Sequence, residues 1–502
     1  MRFPILGCLL ALLGLVSASA EDFDLLIRGG AVIRDGSSEP ERADVGIVGD
    51  RIAAIGDLDG QSAAETIDAT GMLVVPGFID THSHGDRGGP MLADLRQGIT
   101  TTVVGNCGRS PRPDEMTAHW ASIEPELGPN HAPLVGHNTL RRAVDLSGPE
   151  PTPEQMEAMR TLLGDAMRAG AFGMSTGLTY SSGYNSSTEE IIELAEVVAV
   201  HGGVYATHMR NEGPDVLKSV DETLTIARSA GCRAQISHAK CLGPDAWDLA
   251  DTFVSRVEAA HAAGVDVMFD QYPYAASQTG ISALFPTWAR DDWESATRDR
   301  REELEAETAV LLAGRGGAGR VYLTRGEFRG RLLSDIAAER AKNPIHVLID
   351  DIGAGGASAV YHSMQEEDLL RFMASPLQMI GTDGPTDTHP RGHGAFPRFW
   401  ARYVRDAGIC TPTEAVLRTS TRAAHHFRLD ELQRGALQEG YFADVVVLDL
   451  EGVQDRATFD EPTLSPTGVP WVIVNGRPAI RNGEPGEPGT GRVLKLTEGD
   501  AN

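Results

Sequence analysis

Lysine is scarce in this 502-residue sequence: of 44 basic residues only Lys218, Lys240, Lys342 and Lys495 are lysines, and the arginines form no cluster. Set against 71 acidic residues they leave a net charge of −27, which argues against nucleic acid as a partner, since nothing could neutralise a run of phosphates. The acidity reads as solubility, with salt adaptation the weaker reading. Cysteine is scarce too. Apart from Cys8, only Cys107, Cys232, Cys241 and Cys410 occur, too few over such a length for a disulfide framework, although an exported chain could pair some of them. Long apolar runs are missing beyond residues 5–16. Arg2 before that run and Ala18-Ser19-Ala20 after it complete a targeting segment with a cleavage site. Residues 1–20 are therefore expected to be a signal peptide and the mature chain to be exported, periplasmic or secreted. The run is short for a membrane span, so no stable insertion is expected after cleavage, and Cys8 sits too early for a lipoprotein.

What is present suits a soluble globular enzyme: 41% apolar and 23% charged residues, over a length that suggests one large domain and one smaller. The chain is organised around residues 72–86, where the apolar run Met72-Leu73-Val74-Val75-Pro76-Gly77-Phe78-Ile79 enters Asp80-Thr81-His82-Ser83-His84. Histidines at i and i+2 of an extended strand share a face and can hold one divalent ion. Alone, such a pair is weak evidence, because most histidine pairs are solvated or hydrogen-bonded to protein.

Residues 21–74 and 438–497 both read as short strands separated by Gly and Asp turns, and are expected to pair into a small β-sandwich. Between them, in residues 75–437, eight strand-like runs alternate mostly with helical patterns such as 154–167 and 189–200. That alternation predicts an α/β fold, a (β/α)8 TIM-type barrel with functional residues at the C-terminal strand ends. The first seven runs end at His82/His84, Cys107, His137, Ser175/Thr176, His208, His238 and Asp270, and the eighth at Asp383. The long gap before the eighth holds a charged stretch and a glycine-rich break, so residues 285–345 are expected to be an inserted lid or small helical subdomain.

His82, His84, Cys107, His208, His238 and Asp383 would meet at the barrel mouth. A barrel-end histidine is more often a hydrogen-bonded structural residue, and a cysteine more often a core filler. Six in strand register point instead to a metal site. One or two zinc ions can share such ligands, a thiolate serving as bridge if there are two. A site of this kind lowers the pKa of bound water to about 7 and polarises a carbonyl, the two needs of amide hydrolysis. Asp383 is the natural base for that water and can return the proton to the leaving amine.

At this point the chain resembles the amidohydrolase superfamily and, within it, the N-acyl-D-amino-acid deacylase (D-aminoacylase) family. The matching pieces are Gly77-Phe78-Ile79-Asp80-Thr81-His82-Ser83-His84, Gly105-Asn106-Cys107-Gly108, Leu134-Val135-Gly136-His137 and Ser175-Thr176-Gly177-Leu178-Thr179-Tyr180. Thr207-His208-Met209-Arg210-Asn211-Glu212, Ile236-Ser237-His238-Ala239-Lys240, Tyr272-Pro273-Tyr274 and His389-Pro390-Arg391 continue the likeness, as does the tail Gly440-Tyr441-Phe442-Ala443-Asp444. The resemblance implies zinc-dependent release of a free D-amino acid from a small N-acyl substrate. Many binuclear members of the superfamily bridge their metals with a carboxylated lysine. No lysine precedes Lys218, so the resemblance gives the bridge to Cys107, one metal to Cys107, His208 and His238, and the second to His82, His84, Cys107 and Asp383. It also implies substrate contacts from Lys240, Tyr272, Tyr274, Ser277 and Arg391 around the α-carboxylate. His137 would orient a ligand or polarise the carbonyl, with a buried structural role as the alternative, and Arg210 is expected to pair with Glu212. The competing readings are a hydantoinase- or dihydroorotase-like enzyme for cyclic amides, a dipeptidase, and a non-catalytic periplasmic binding protein. Thr382 in place of serine before Asp383, Arg109 where an aromatic is frequent, and the loop 180–185 depart from the family pattern. These departures bear on acyl and side-chain preference.

Overall fold

The computed structural model describes residues 22–496; the expected signal peptide lies outside the described residues. Strands from near both ends of the chain pair into one nine-stranded sheet. Leu73–Pro76 is its hinge: it runs parallel to Phe23–Val32 on one side and antiparallel to Val445–Leu448 on the other, with Val445 opposite Pro76 and Val447 opposite Val74. Trp471–Val474, Arg477–Arg481 and Glu484–Pro485 extend the sheet. Apolar residues alternate along the strands and close a core of Leu25, Ile27, Val45, Ile47, Val445 and Ile473. The segment after Pro485 departs from the expected sandwich. Residues 490–496 lie along the barrel as a strap, where Leu494 N–H donates to His131 O at 2.8 Å and Leu496 N–H to Gly170 O at 3.1 Å.

Eight parallel strands form the barrel: β1 Phe78–Asp80, β2 Ile99–Val104, β3 Asn130–Pro133 (continued as Val135–Gly136), β4 Gly173–Gly177, β5 Val204–His208, β6 Arg233–Ile236, β7 Val267–Gln271 and β8 Gln378–Ile380. β1 to β3 form one ladder, and the continuation of β3 joins β4 to begin the second, which runs to β8. The ring closes where Thr81 N–H meets Ile380 O at 3.4 Å and Ser83 bridges Gly384. Both faces are covered, so strands such as Ile-Thr-Thr-Thr-Val-Val are buried along their whole length. Two of the helices between strands start on side-chain caps. Thr152 forms a capping box with Gln155 ahead of Pro153–Arg168, and Ser187 caps Thr188–Val200. Phe78 stacks on Phe396 at 5.5 Å and Trp400 at 5.8 Å, anchoring β1 to the last helices.

The insertion is larger than 285–345 and is not purely helical. It begins at Ser277–Gly280 and ends at Ser358–Tyr361, two strands that pair antiparallel and form a four-stranded sheet with Val321–Leu323 and Arg331–Leu332. Leu284, Phe285, Leu304, Leu333, Ile336 and Tyr361 give it a core of its own.

Candidate metal centre

The end of β1 is fixed to the end of β8. The Asp80 carboxylate accepts from His82 N–H at 3.0 Å, Thr382 N–H at 2.9 Å and Thr382 Oγ1 at 2.5 Å. Burial outweighs these donors and pushes the Asp80 carboxyl up to about 7. Asp383 N–H in turn donates to His82 O at 2.9 Å. His84 Nε2 thereby comes within 3.2 Å of Asp383 Oδ1, and His82 Nε2 within 3.9 Å.

Cys107 follows β2 and stands among three imidazoles. Its Sγ lies 3.4 Å from His82 Nε2, 3.5 Å from His208 Nδ1 and 3.6 Å from His238 Nε2. Burial alone would raise the thiol, but His82, His208 and His238 hold it well below the ordinary thiol range, as a thiolate. Cys107, His238 and Asp383 all take positive φ, 52°, 37° and 49°. Non-glycine residues in this region cost about 1–3 kcal/mol each and gather at functional sites.

The donors fit a divalent ion. Tetrahedral zinc, with nitrogen at about 2.0–2.1 Å and sulfur at about 2.3 Å, sets ligand–ligand edges of about 3.3–3.6 Å. The ligand atoms of His82, Cys107 and His238, of His82, His84 and Asp383, and of His208, Glu212 and His238 each gather within 4.8 Å. All six ligands expected from the sequence are thus brought together, and Glu212 joins them. Its Oε1 lies 3.1 Å from His238 Nδ1 and 2.6 Å from Lys240 Nζ, and its Oε2 lies 3.7 Å from His208 Nε2. An Nδ1–H donated to Glu212 leaves His238 Nε2 free beside Cys107. Arg210 is not the partner of Glu212; its guanidinium is taken by Glu222 at 2.9 and 3.1 Å.

Asp270, read from the sequence only as a strand end, supports two of the expected ligands, His238 and His82. Its Oδ1 accepts the His238 N–H at 2.8 Å, its Oδ2 accepts from Gln235 Nε2 at 2.6 Å, and Oδ2 lies 3.7 Å from His82 Nδ1.

The expected substrate residues divide. Arg391 NH1 lies 2.9 Å from Asp383 Oδ2, and its guanidinium stands over the Tyr272 ring at 4.7 Å. Burial would raise Asp383, but Arg391 and His84 hold it well below the usual carboxylate range. Arg391 Nε, Tyr272 Oη and Ser277 Oγ are buried polar atoms without a protein partner. Lys240 reaches the site, but its ammonium is engaged by Glu212 and lies 2.6 Å from His238 Nδ1. Two expected residues turn elsewhere. Tyr274 directs its hydroxyl to Asp455 at 3.3 Å and packs its ring on His389 and under Arg398, because the Pro273 turn sends the two tyrosines to different sides. His137 opens the helix His137–Ala143, which swings its Nε2 to Glu190 at 2.8 Å, where Arg141 joins the pair.

Comparison with known proteins agrees with this geometry. The family model described as Amidohydrolase family matches residues 65–480. A D-aminoacylase of Alcaligenes xylosoxydans xylosoxydans is 39% identical over 516 residues, covering 96% of this chain and 99% of the relative. The N-acyl-D-glutamate deacylase of Bordetella bronchiseptica, solved with zinc and a phosphonate mimic of the tetrahedral intermediate, superposes with a TM-score of 0.82 at 34% identity, covering 95% of this chain and 100% of that one. A D-aminoacylase structure described by its binuclear metal centre follows with a TM-score of 0.80 at 36% identity, covering 94% and 100%. A closed parallel barrel, an end-to-end sheet and a histidine–cysteine–aspartate cluster at the strand ends accompany that likeness over nearly the whole chain, which belongs to the amidohydrolase family.

Proposed function

We propose that the protein hydrolyses the amide bond of N-acyl-D-amino acids, releasing a carboxylic acid and a free D-amino acid. The observation that carries this reading is the pairing of two features in one mouth. One is a cluster of metal-type donors around Cys107; the other is buried Arg391, 2.9 Å from Asp383 and over the Tyr272 ring, whose Nε has no protein partner. An α-carboxylate supplies the acceptor that Nε lacks. The D configuration follows the relatives, whose names specify D substrates.

His82, His84, Cys107, His208, His238 and Asp383 would hold zinc, which when bound would supply Lewis acidity and lower the pKa of a water toward neutral. Asp383, kept ionised beside Arg391 and His84, takes the proton of the attacking water and hands it to the leaving amine nitrogen. Arg391, Tyr272 and Ser277 hold the α-carboxylate, and Glu212 with Lys240 fixes the His238 ring. The six expected ligand positions, Asp383 among them as the base, are intact and fall into overlapping groups of three, which disfavours a non-catalytic binding protein. The leader-like residues 1–20 support export, and no helix among the described residues is long and apolar enough to cross a membrane.

The test is amine release from paired N-acetyl-D- and N-acetyl-L-amino acids by zinc-loaded protein lacking residues 1–20. Hydrolysis confined to the D series, lost in Asp383→Asn with zinc retained, is the expected result. Activity on neither series with zinc bound would redirect the assignment to cyclic amides or dipeptides.

A further inference from the structure

The loops that follow β2, β3 and β4 are stitched into one wall. Asn138 Nδ2 donates to Gly177 O at 3.2 Å and Ser182 Oγ at 3.0 Å, and its Oδ1 accepts from Gly177 N–H at 3.2 Å. Thr139 N–H donates to Gly108 O at 3.2 Å, and Ser110 N–H donates to Thr139 Oγ1 at 3.2 Å. Arg109 projects from this wall immediately after Cys107 and Gly108, and its side chain is exposed. The guanidinium sits 5.7 Å from the centre of the Tyr180 ring, which itself stands 5.1 Å from the His208 ring. Tyr180 therefore lies between Arg109 and the ligand cluster.

A second cation shares the wall. Arg142, on the helix His137–Ala143, donates to the neutral Thr139 hydroxyl at 2.9 Å. Burial and the charge of Arg109 both lower its pKa, so the two guanidinium groups feel each other. Among the described residues neither forms an ion pair, in a chain where acidic residues outnumber basic ones 71 to 44. Two uncompensated like charges beside a site repel each other until an anion joins them.

In the ring of eight strands, β3 and β4 stand across from β7 and β8. With the scissile amide at the ligand cluster and the α-carboxylate toward Arg391, Tyr272 and Ser277 on the β7–β8 side, the acyl chain points to the opposite wall. Resting on the deacylase reading above, we propose that Arg109, seconded by Arg142, selects acyl groups that end in a carboxylate. The substrate class is then N-(ω-carboxyacyl)-D-amino acids, of which N-succinyl derivatives are the simplest probe. Water adds its oxygen to the acyl carbon, the C–N bond breaks, and the amine leaves with the water's proton. The products are a D-amino acid and a dicarboxylate, with no further reactant.

The test compares kcat/KM for N-succinyl- and N-acetyl-D-leucine with the metal-loaded protein, its Arg109→Leu and Arg109→Lys variants, and the wild type in high salt. A partly exposed ion pair predicts a succinyl-to-acetyl ratio above one that falls about fivefold in Arg109→Leu, is largely kept in Arg109→Lys, and erodes with salt. A wild-type ratio at or below one, or a ratio unchanged in Arg109→Leu, overturns the proposal while leaving the deacylase reading intact. If Arg109→Leu instead alters the preference between N-acetyl-D-glutamate and N-acetyl-D-leucine, the cation reads the amino-acid side chain and the acyl assignment is wrong. Hydrolysis of no N-acetyl- or N-succinyl-D-amino acid, with leucine, glutamate and aspartate derivatives all tried and metal bound, overturns the deacylase reading and this proposal with it.

Discussion

Replacing Asp270 by asparagine isolates the support beneath the proposed metal ligands while leaving each of their side chains in place. The carboxylate is buried and serves two donors at once, the His238 N–H at 2.8 Å and the Gln235 amide at 2.6 Å. Asparagine keeps a single oxygen, so its amino group must face one of these donors, N–H against N–H. A hydrogen bond to a charged acceptor contributes about 1.5–3 kcal/mol, which converts to roughly 10- to 100-fold in an equilibrium constant. The same range is seen when partners of metal-binding histidines are removed. The strain falls on His238, whose φ of 37° is held in part by that N–H, and on His82 through its ring nitrogen 3.7 Å away. Bound zinc measured across a series of metal buffers, with kcat/KM for an N-acetyl-D-amino acid, should show both falling by about 10- to 100-fold. Far-UV circular dichroism should report an intact fold. A variant with zinc affinity and turnover equal to wild type would refute the argument that Asp270 positions the site.

Two further outcomes follow from local geometry. Gly108→Ala places a methyl group 2.0 Å from Asn138 Oδ1 at a φ of 74°, so it should cost about 1–2 kcal/mol in backbone strain and shift Cys107; unchanged urea unfolding and metal binding would contradict this. Burial lowers His131 from 6.5 to about 4, so its neutral form adds stability that is complete above pH 6.5 and is lost as pH falls toward 4, on the order of 3 kcal/mol. His131→Gln should flatten that part of the stability profile, and an identical acid slope would exclude His131 as its source.

The barrel was legible because each strand is a short buried run ending in a residue with chemistry, at steps of about one βα unit. The gathering of His82, His84, Cys107, His208, His238 and Asp383 is legible for the same reason, since strand ends point into a barrel mouth. The sheet of the insertion leaves little mark in the sequence because strands such as Val321–Leu323 and Arg331–Leu332 are too short to show alternation, while the charged helix Arg301–Gly314 dominates the pattern. The strap at 490–496 is held by backbone hydrogen bonds and by Leu494 and Leu496 packed into the barrel's core, an alternation too short to tell from a strand of the end-to-end sheet. Side-chain direction was equally hidden. Tyr272 and Tyr274 look equivalent in a list of aromatic residues, yet a turn separates their targets. His137 stands at a strand end in sequence but opens a helix in space, which turns it toward Glu190. The part played by Asp270, and the partners of Glu212, are hidden because a carboxylate that supports an imidazole looks the same in sequence as one that solvates a loop.

The seat of Leu73–Pro76 between Phe23–Val32 and Val445–Leu448 also bears on how the molecule comes into being. β1 continues directly from a strand whose second neighbour is synthesised hundreds of residues later, and β1 meets β8 under the same delay. While the chain is being made, half a sheet presents an open edge and the barrel stays unclosed. Pairings so distant in sequence form slowly, and open edges invite association with other chains. No shortened version ending before Val445 can complete the sheet from which the strand leading to His82 and His84 continues.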